Sequence, residues 1–360
     1  YYKKLINQGC EDHRIFSNYG VILKDLGKLK QAEISYRKAI ELNPDYAIAH
    51  SNLGSILKDL DKLDESEKSN RKAIQLNPNL GKAYYNLGNT LKDLGKLKDA
   101  ELYTRKAIEL NPDYAEAHSN LGLILKNLGY FNDAIYHYKK SIKLDKNLSI
   151  AKSGLIESQG LICDWDDQNN QKLWIDKLGI EGSSINPLSL FYYEDNPLKQ
   201  LERSKKFYKE NFIRKAANLV SFHNKKIHIG YFSADFNKHA TMYLIASILE
   251  LHDKSEFKIY IYSFTSSEDI YTERAKSSGC IFRDIRQLTT IEAVELARKD
   301  KLDIAIDLKG YTKHCRMSIF SYRVASIQIN YLGFPGSLGA NSIDYIIADR
   351  IIIPENYEKF

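Results

Sequence analysis

Cysteine is scarce: Cys10, Cys163, Cys280 and Cys315 are the four in 360 residues, far apart and without the paired spacing of a zinc site. That usage suits reduced thiols in a cytoplasm. No apolar run approaches the ~18 residues of a membrane span, and the opening residues do not read as a signal peptide, so a cytoplasmic location is expected. A basic block is missing too: the net charge is +6 and the pI about 8.8, but the lysines are scattered through every segment. Nucleic acid is therefore not indicated as a partner. What the chain does have is length enough for two domains and, in its first part, a repeat.

The stretch "AHSNLG" at 49–54 returns at 117–122, a separation of 68 residues, twice 34. At that period Gly20, Gly54, Gly88 and Gly122 form one column, Ala39, Ala73, Ala107 and Ser141 another, and Pro44, Pro78 and Pro112 close three units. The pattern resembles the tetratricopeptide repeat, a helix–turn–helix unit. Four units are expected at about 13–46, 47–80, 81–114 and 115–148, with 1–12 as the tail of a preceding repeat and Tyr2 in the column of Tyr36. Within the second unit Ala49, Leu53, Ile56, Leu57 and Leu60 recur at the spacing of an amphipathic helix. Gly54 at the edge of that stripe would let a neighbouring helix approach closely, which outweighs the roughly 1 kcal/mol that glycine costs inside a helix. No unit buries its apolar faces alone, so the units must stack as a superhelix. The missing cap at the start is read as a cut inside the array.

After "KSGLIESQGLICDWDD" the period stops. The stretch 149–225 is expected as a helical linker and the start of a second region, and 226–360 as an α/β lobe. In that lobe "KIHIGYFS", "FKIYIYSF", "CIFRDI", "LDIAIDL", "SIQINYL" and "IDYIIA" read as strands, and "ATMYLIASILELH" and "TIEAVELARKD" as helices. Such alternation with apolar strands predicts a parallel sheet covered on both faces, a Rossmann-like architecture that lacks GxGxxG after its first strand. In these sheets ligands sit beyond the carboxyl ends of the strands. Those ends are "SADFNKHAT", "DLKGYTKHCR" and "YLGFPGSLGA", which hold most of the polar and glycine-rich chemistry.

"CDWDD" at 163–167, "IGYFSADFNKHAT" at 229–241, "DLKGYTKHCR" at 307–316 and "IQINYLGFPGSLGANSIDYIIAD" at 327–349 resemble glycosyltransferase family 41. That family contains protein O-linked N-acetylglucosamine transferases and Spindly-type O-fucosyltransferases, with tetratricopeptide repeats ahead of the catalytic region. The resemblance implies an α-solenoid followed by the N-terminal lobe of a two-lobed, GT-B type enzyme. It implies His239 and Asp235 as catalytic candidates, and Thr241, Leu332, Gly333, Pro335 and Gly336 as donor-binding candidates. Two positions depart from the family: Ala240 stands where Pro is common, and Leu188 in "INPLSLFYY" where animal enzymes carry a His. The family is metal-independent, so "DWDD" is not read as an Asp-x-Asp metal motif, and neither metal nor cofactor is expected.

The residues themselves leave alternatives open. His239 opens a helix after a strand, where free backbone N–H groups favour an anion such as a donor diphosphate, or it bonds only to the local backbone. Asp235 is a proton-handling group or an Asx-turn carboxylate. "GFPG" offers backbone that a sugar can approach, or an ordinary turn. Asn18, Asn52, Asn86 and Asn120 recur once per unit at the border of the apolar stripe, neither core nor fully solvated. Stacked, they form a ladder that grips an extended peptide, or they bridge adjacent helices.

The expected activity is inverting transfer from UDP-N-acetylglucosamine to Ser or Thr of proteins held by the repeats. Transfer from GDP-fucose and a non-catalytic repeat scaffold are the alternatives. By itself the chain is expected not to turn over, with an apolar patch exposed around Tyr331, Phe334 and Leu338.

Overall fold

The computed structural model describes residues 1–166, 168–212, 224–351 and 353–355. The chain divides into two compact units, Tyr1–Asn169 and Asn170–Phe360.

In the first unit α1 (Tyr2–Asn7) precedes a series of antiparallel pairs: α2 (His13–Asp25) with α3 (Leu29–Leu42), α4 (Ala47–Asp59) with α5 (Leu63–Leu76), α6 (Gly81–Asp93) with α7 (Leu97–Leu110), and α8 (Ala115–Asn127) with α9 (Phe131–Leu144). α10 (Ser149–Leu161) packs on α8 and α9. The column of glycines is needed where the pairs cross: a Cβ on Gly20 would sit 2.7 Å from the Tyr36 ring, and one on Gly122 would sit 2.9 Å from Tyr138. The alanine columns have the same cause, since Ala39, Ala73 and Ala107 are fully buried. This is a tetratricopeptide solenoid.

The second unit opens with α11 (Gln168–Ile175), whose first residues belong to the boundary, a 3-10 turn at Pro187–Leu190, and α12 (Pro197–Asn211). Then come β1 (Ile227–Ser233), α13 (Ala240–Leu251), β2 (Phe257–Ser263), α14 (Ile270–Ser277), β3 (Ile281–Asp284), α15 (Thr290–Lys299), β4 (Ile304–Asp307), α16 (Met317–Ser321), β5 (Ile327–Tyr331) and β6 (Tyr345–Ile347). The described strands are all parallel and lie in the order β3-β2-β1-β4-β5-β6. This is the strand order of a doubly wound Rossmann-like sheet.

Side-chain alternation decides which helix covers which face. Ile229, Tyr231, Ile259 and Ile261 pack with Met242, Ile245 and Leu249 of α13 and Ala275 of α14. Phe232, Tyr260 and Tyr262 pack on the other face with Ala293, Val294 and Ala297 of α15 and Ile319 and Phe320 of α16. The chain therefore changes face between β3 and β4. Because crossovers are right-handed, the sheet grows one way from β1 and then the other way from β4, leaving a crevice between their carboxyl ends.

Candidate functional site

β1 and β4 pair in register, with Phe232 opposite Asp307, so the loops that follow them leave the sheet side by side. Asp235 follows β1 and Lys309 follows β4. Across the crevice Lys309 Nζ donates to Asp235 Oδ2 at 2.6 Å, and both side chains are largely buried, 6% and 13% exposed. His239, exposed, ends the same β1 loop as N-cap of α13: its Nδ1 accepts the Thr241 N–H at 3.2 Å and lies 3.6 Å from Asp235 Oδ2. Thr241 is buried, its Oγ1 3.2 Å from the same Nδ1.

Lys309 is aimed by Asp307. That carboxylate accepts the backbone N–H groups of Lys309 (3.0 Å) and Gly310 (2.8 Å) and the Asn330 amide (3.2 Å), which turns the β4 loop back over the strand end. Full burial pushes the Asp307 carboxyl up to about 6, against the pull of those hydrogen bonds and of the Lys309 charge. Asn330 Oδ1, also buried, has no hydrogen-bond partner among the described residues. His314, in the same loop with φ of 62°, is held below the usual imidazole range by burial and then by Lys313 and Lys309.

The β5 loop packs against the β4 loop. A Cβ on Gly333 would fall inside the Leu308 carbonyl, so only glycine fits, and its close approach is to the protein's own backbone. Tyr311 Oη donates to the Leu338 carbonyl at 2.6 Å, and the Phe334 ring lies against Phe191 and Tyr311. Phe334 and Leu338 are consequently buried and Tyr331 half-buried, contrary to the exposed patch expected there. The apolar surface lies instead on β6, at Tyr345, Ile346 and Ile347. Leu188 packs against the same core, beside Asn186, whose amide donates to the Tyr311 carbonyl at 2.8 Å.

The structure thus gathers Asp235, His239 and Thr241 with Lys309 at the switch point. Leu332 (exposed, φ 66°), Gly333, Pro335 and Gly336 follow β5, two strands from β1 and so roughly 10 Å away at the usual spacing. A cleft of about 790 Å³ takes in Pro335, Gly336 and Asn330 together with Lys205 and Tyr345, but neither Asp235 nor His239. Asp164 of "DWDD" is engaged by the Gln159 amide at 3.0 Å and the Asp166 N–H at 3.2 Å, while Asp167 lies outside the described residues. Lys309 and Asp307 were missed in the sequence because nothing in "DLKGYTKHCR" says that β4 lies beside β1.

In the solenoid the asparagines are not a row of half-solvated amides. Asn52, Asn86 and Asn120 are each 8% exposed, and Asn18 is exposed. Asn86 donates to both the carbonyl and the Oγ of Ser51 at 3.1 Å, Lys82 donates to Asn52 Oδ1 at 3.2 Å, and the Asn120 amide reaches Thr104 Oγ1 at 3.4 Å. Each of these bonds ties one helix to another, because the stripe's border becomes buried once the next repeat stacks on it.

Residues 199–360 match glycosyltransferase family 41, and 81–114, 47–80, 20–61 and 105–129 match tetratricopeptide repeats. The chain carries a glycosyltransferase family 41 domain behind tetratricopeptide repeats. Among its relatives, the probable UDP-N-acetylglucosamine–peptide N-acetylglucosaminyltransferase SEC of Arabidopsis thaliana is 27% identical over 223 residues, 56% of this chain and 23% of that protein. The UDP-N-acetylglucosamine–peptide N-acetylglucosaminyltransferase of Caenorhabditis elegans is 34% identical over 132 residues, 36% of this chain and 12% of that one. The chain therefore spans less than a quarter of the length of these relatives. A solved O-GlcNAc transferase mutant of Thermobaculum terrenum superposes with a TM-score of 0.53 at 22% identity, covering 87% of this chain and 55% of that one. That likeness shows the fold: a solenoid followed by a GT-B type Rossmann-like lobe. Among the described residues no helix is long and apolar enough to cross a membrane.

Proposed function

We propose that this family 41 chain serves a cytoplasmic protein O-glycosyltransferase, transferring N-acetylglucosamine from UDP-N-acetylglucosamine to Ser or Thr with inversion. The observation that carries the reading is the bridge from Asp235 to Lys309 across the β1–β4 switch point, with His239 and the N-terminus of α13 beside it. This is where a doubly wound sheet binds its ligand, and the activity that names the relatives supplies the donor and the acceptor class.

The reaction needs a group to take the hydroxyl proton and fixed positive charge or dipoles for the leaving diphosphate. Fixed dipoles are at hand in the first turn of α13, and His239 and Thr241 are assigned to the donor side. Asp235 is assigned to the hydroxyl proton: its Oδ2 holds the Lys309 ammonium, and Oδ1 is the oxygen that would take the proton. Leu332, Gly333, Pro335 and Gly336 are assigned to the edge of the donor site, with Gly333 acting by shaping the loop. We assign the solenoid to the protein substrate; of the four asparagines that recur once per unit, Asn18 is the exposed one.

The test is sugar transfer by the native protein that contains this chain, with UDP-N-acetylglucosamine and a Ser/Thr peptide. His239→Ala should lower transfer at least ten-fold, about 1.4 kcal/mol in the barrier, with peptide binding retained. Equal rates in variant and wild type, or transfer from GDP-fucose in place of UDP-N-acetylglucosamine, would overturn the assignment.

A further inference from the structure

A carboxylate beside a histidine ordinarily orients the ring: Nδ1–H donates to the carboxylate, and the bare Nε2 takes a proton from the substrate. Asp235 and His239 have the residue types for that arrangement but not its geometry. His239 Nδ1 accepts the Thr241 N–H at 3.2 Å. A ring nitrogen that accepts carries no proton, so the neutral ring holds its proton on Nε2. The distance from Nδ1 to Asp235 Oδ2, 3.6 Å, is beyond a hydrogen bond. What occupies that oxygen is Lys309, at 2.6 Å.

Two ring states therefore compete. In one, Nδ1 caps α13 and Nε2–H points away as a donor. In the other, Nδ1–H turns to Asp235, the helix loses its cap, and the Thr241 hydroxyl, 3.2 Å from Nδ1, no longer donates to it. A carboxylate free of other partners would reward the second state with a charge-assisted hydrogen bond, stronger than a neutral one. A loss and a gain of this kind oppose each other, so a third group can decide between them. Lys309 is that group, because its ammonium takes the oxygen that the ring would need.

We propose that Lys309 is a positioning residue that keeps the proton of His239 on Nε2, making His239 a hydrogen-bond donor toward the ligand and not a base. This rests on the reading of the switch point as the sugar-transfer site and deepens it. The group that Nε2–H meets is an acceptor, an anionic phosphate oxygen or a sugar hydroxyl. The N-terminus of α13 and the Lys309 charge favour the anion. The charged and titratable side chains of the two loops are Asp235, Lys238 and His239 after β1, and Lys309, Tyr311, Lys313, His314, Cys315 and Arg316 after β4. Among them Asp235 is the carboxylate whose distance to the ring decides the state.

The experiment is long-range ¹H–¹⁵N NMR of the chain labelled with ¹⁵N-histidine, at a pH well above imidazole titration, with the His239 signals assigned by their loss in His239→Gln. The wild type should show the Nε2–H tautomer. Lys309→Met should invert the populations to Nδ1–H, and adding Asp235→Asn to Lys309→Met should restore Nε2–H. A loop rearranged for purely structural reasons would not respond to the second substitution in this way. If Lys309→Met does not fold, Lys309→Asn, polar but too short to reach Asp235, is expected to give the same inversion. Nδ1–H in the wild type, or Nε2–H unchanged in the folded Lys309 variant, overturns the proposal. The readout needs no turnover: correct tautomers in a protein that transfers no sugar would sink the functional assignment and leave this one standing.

Discussion

In the solenoid several polar bonds are made again one repeat later; in the lobe each is made once. Lys62 donates to Glu33 at 3.0 Å, and 34 residues on Lys96 donates to Glu67 at 2.8 Å. Ser35 Oγ bonds the Phe16 carbonyl, and Ser69 Oγ bonds that of His50. No column of the sequence repeats the bond from Lys309 to Asp235, which joins residues 74 apart. The solenoid therefore spreads its stability over equivalent contacts between neighbours, so losing one leaves its copies in place. The lobe places its buried charges at separate spots, the crevice among them, and each bond there depends on particular segments that come together once.

The sharpest way to break that comparison is to add one methyl group in each region. Gly333→Ala drives a Cβ into the Leu308 backbone, which cannot yield without moving the β4 loop. A loss of roughly 3 kcal/mol or more is expected, because the clash exceeds ordinary overpacking. In Gly54→Ala the Cβ meets the Asn70 side chain. A side chain can swing aside, so about 1–2 kcal/mol is expected there. Denaturant titrations of the two variants check the order, and equal losses would mean that the loop at 333 is no more constrained than a helix crossing.

A smaller effect is expected from Asp307. Its carboxyl titrates near 6 in the fold, above the unfolded value, so the stability it lends is complete below pH 4 and is lost as pH rises through 6. Asp307→Asn removes that loss. Stability of the variant relative to wild type should rise by on the order of 2–3 kcal/mol between pH 3.5 and 7, at about 1.4 kcal/mol for every pH unit that separates the folded and unfolded midpoints. Urea titration across that range measures it, and a pH-independent difference would show that Asp307 titrates as an ordinary surface carboxylate does.

Asn86→Ala should have the smallest effect, about 1 kcal/mol, since the Ser51 carbonyl and hydroxyl lose one amide donor while the remaining repeats keep their ties. Thermal unfolding followed with peptide titration separates the readings. A lower Tm with unchanged peptide affinity fits a helix tie; the reverse pattern restores the peptide ladder.

Much of the architecture was legible because each signal was local. The repeat columns, the apolar stripes and the six strand segments are each recognised from residues a few positions or one period apart. The helices at 270–277 and 317–321 were not read, being only eight and five residues long, too short for a helical stripe to show. Asn52, Asn86 and Asn120 were placed one step too close to solvent, since helical periodicity measures a helix alone and the next repeat covers its border. Phe334 and Leu338 were placed on an open face because the fold-back of their loop depends on Gly333, Tyr311 and Phe191, which lie in three separate segments.

By itself the sequence determined the repeat, the identity of the strands and the loops that carry chemistry, since a period of 34, a helical stripe and an apolar strand are properties of consecutive residues. Only the tertiary structure decided that β1 lies beside β4, and with it that the oxygen His239 would need from Asp235 is held by Lys309. Strand order follows from how crossover helices pack on the two faces of a sheet, a choice made by the whole lobe at once. A contact across the switch point inherits that choice, and no stretch of sequence records it.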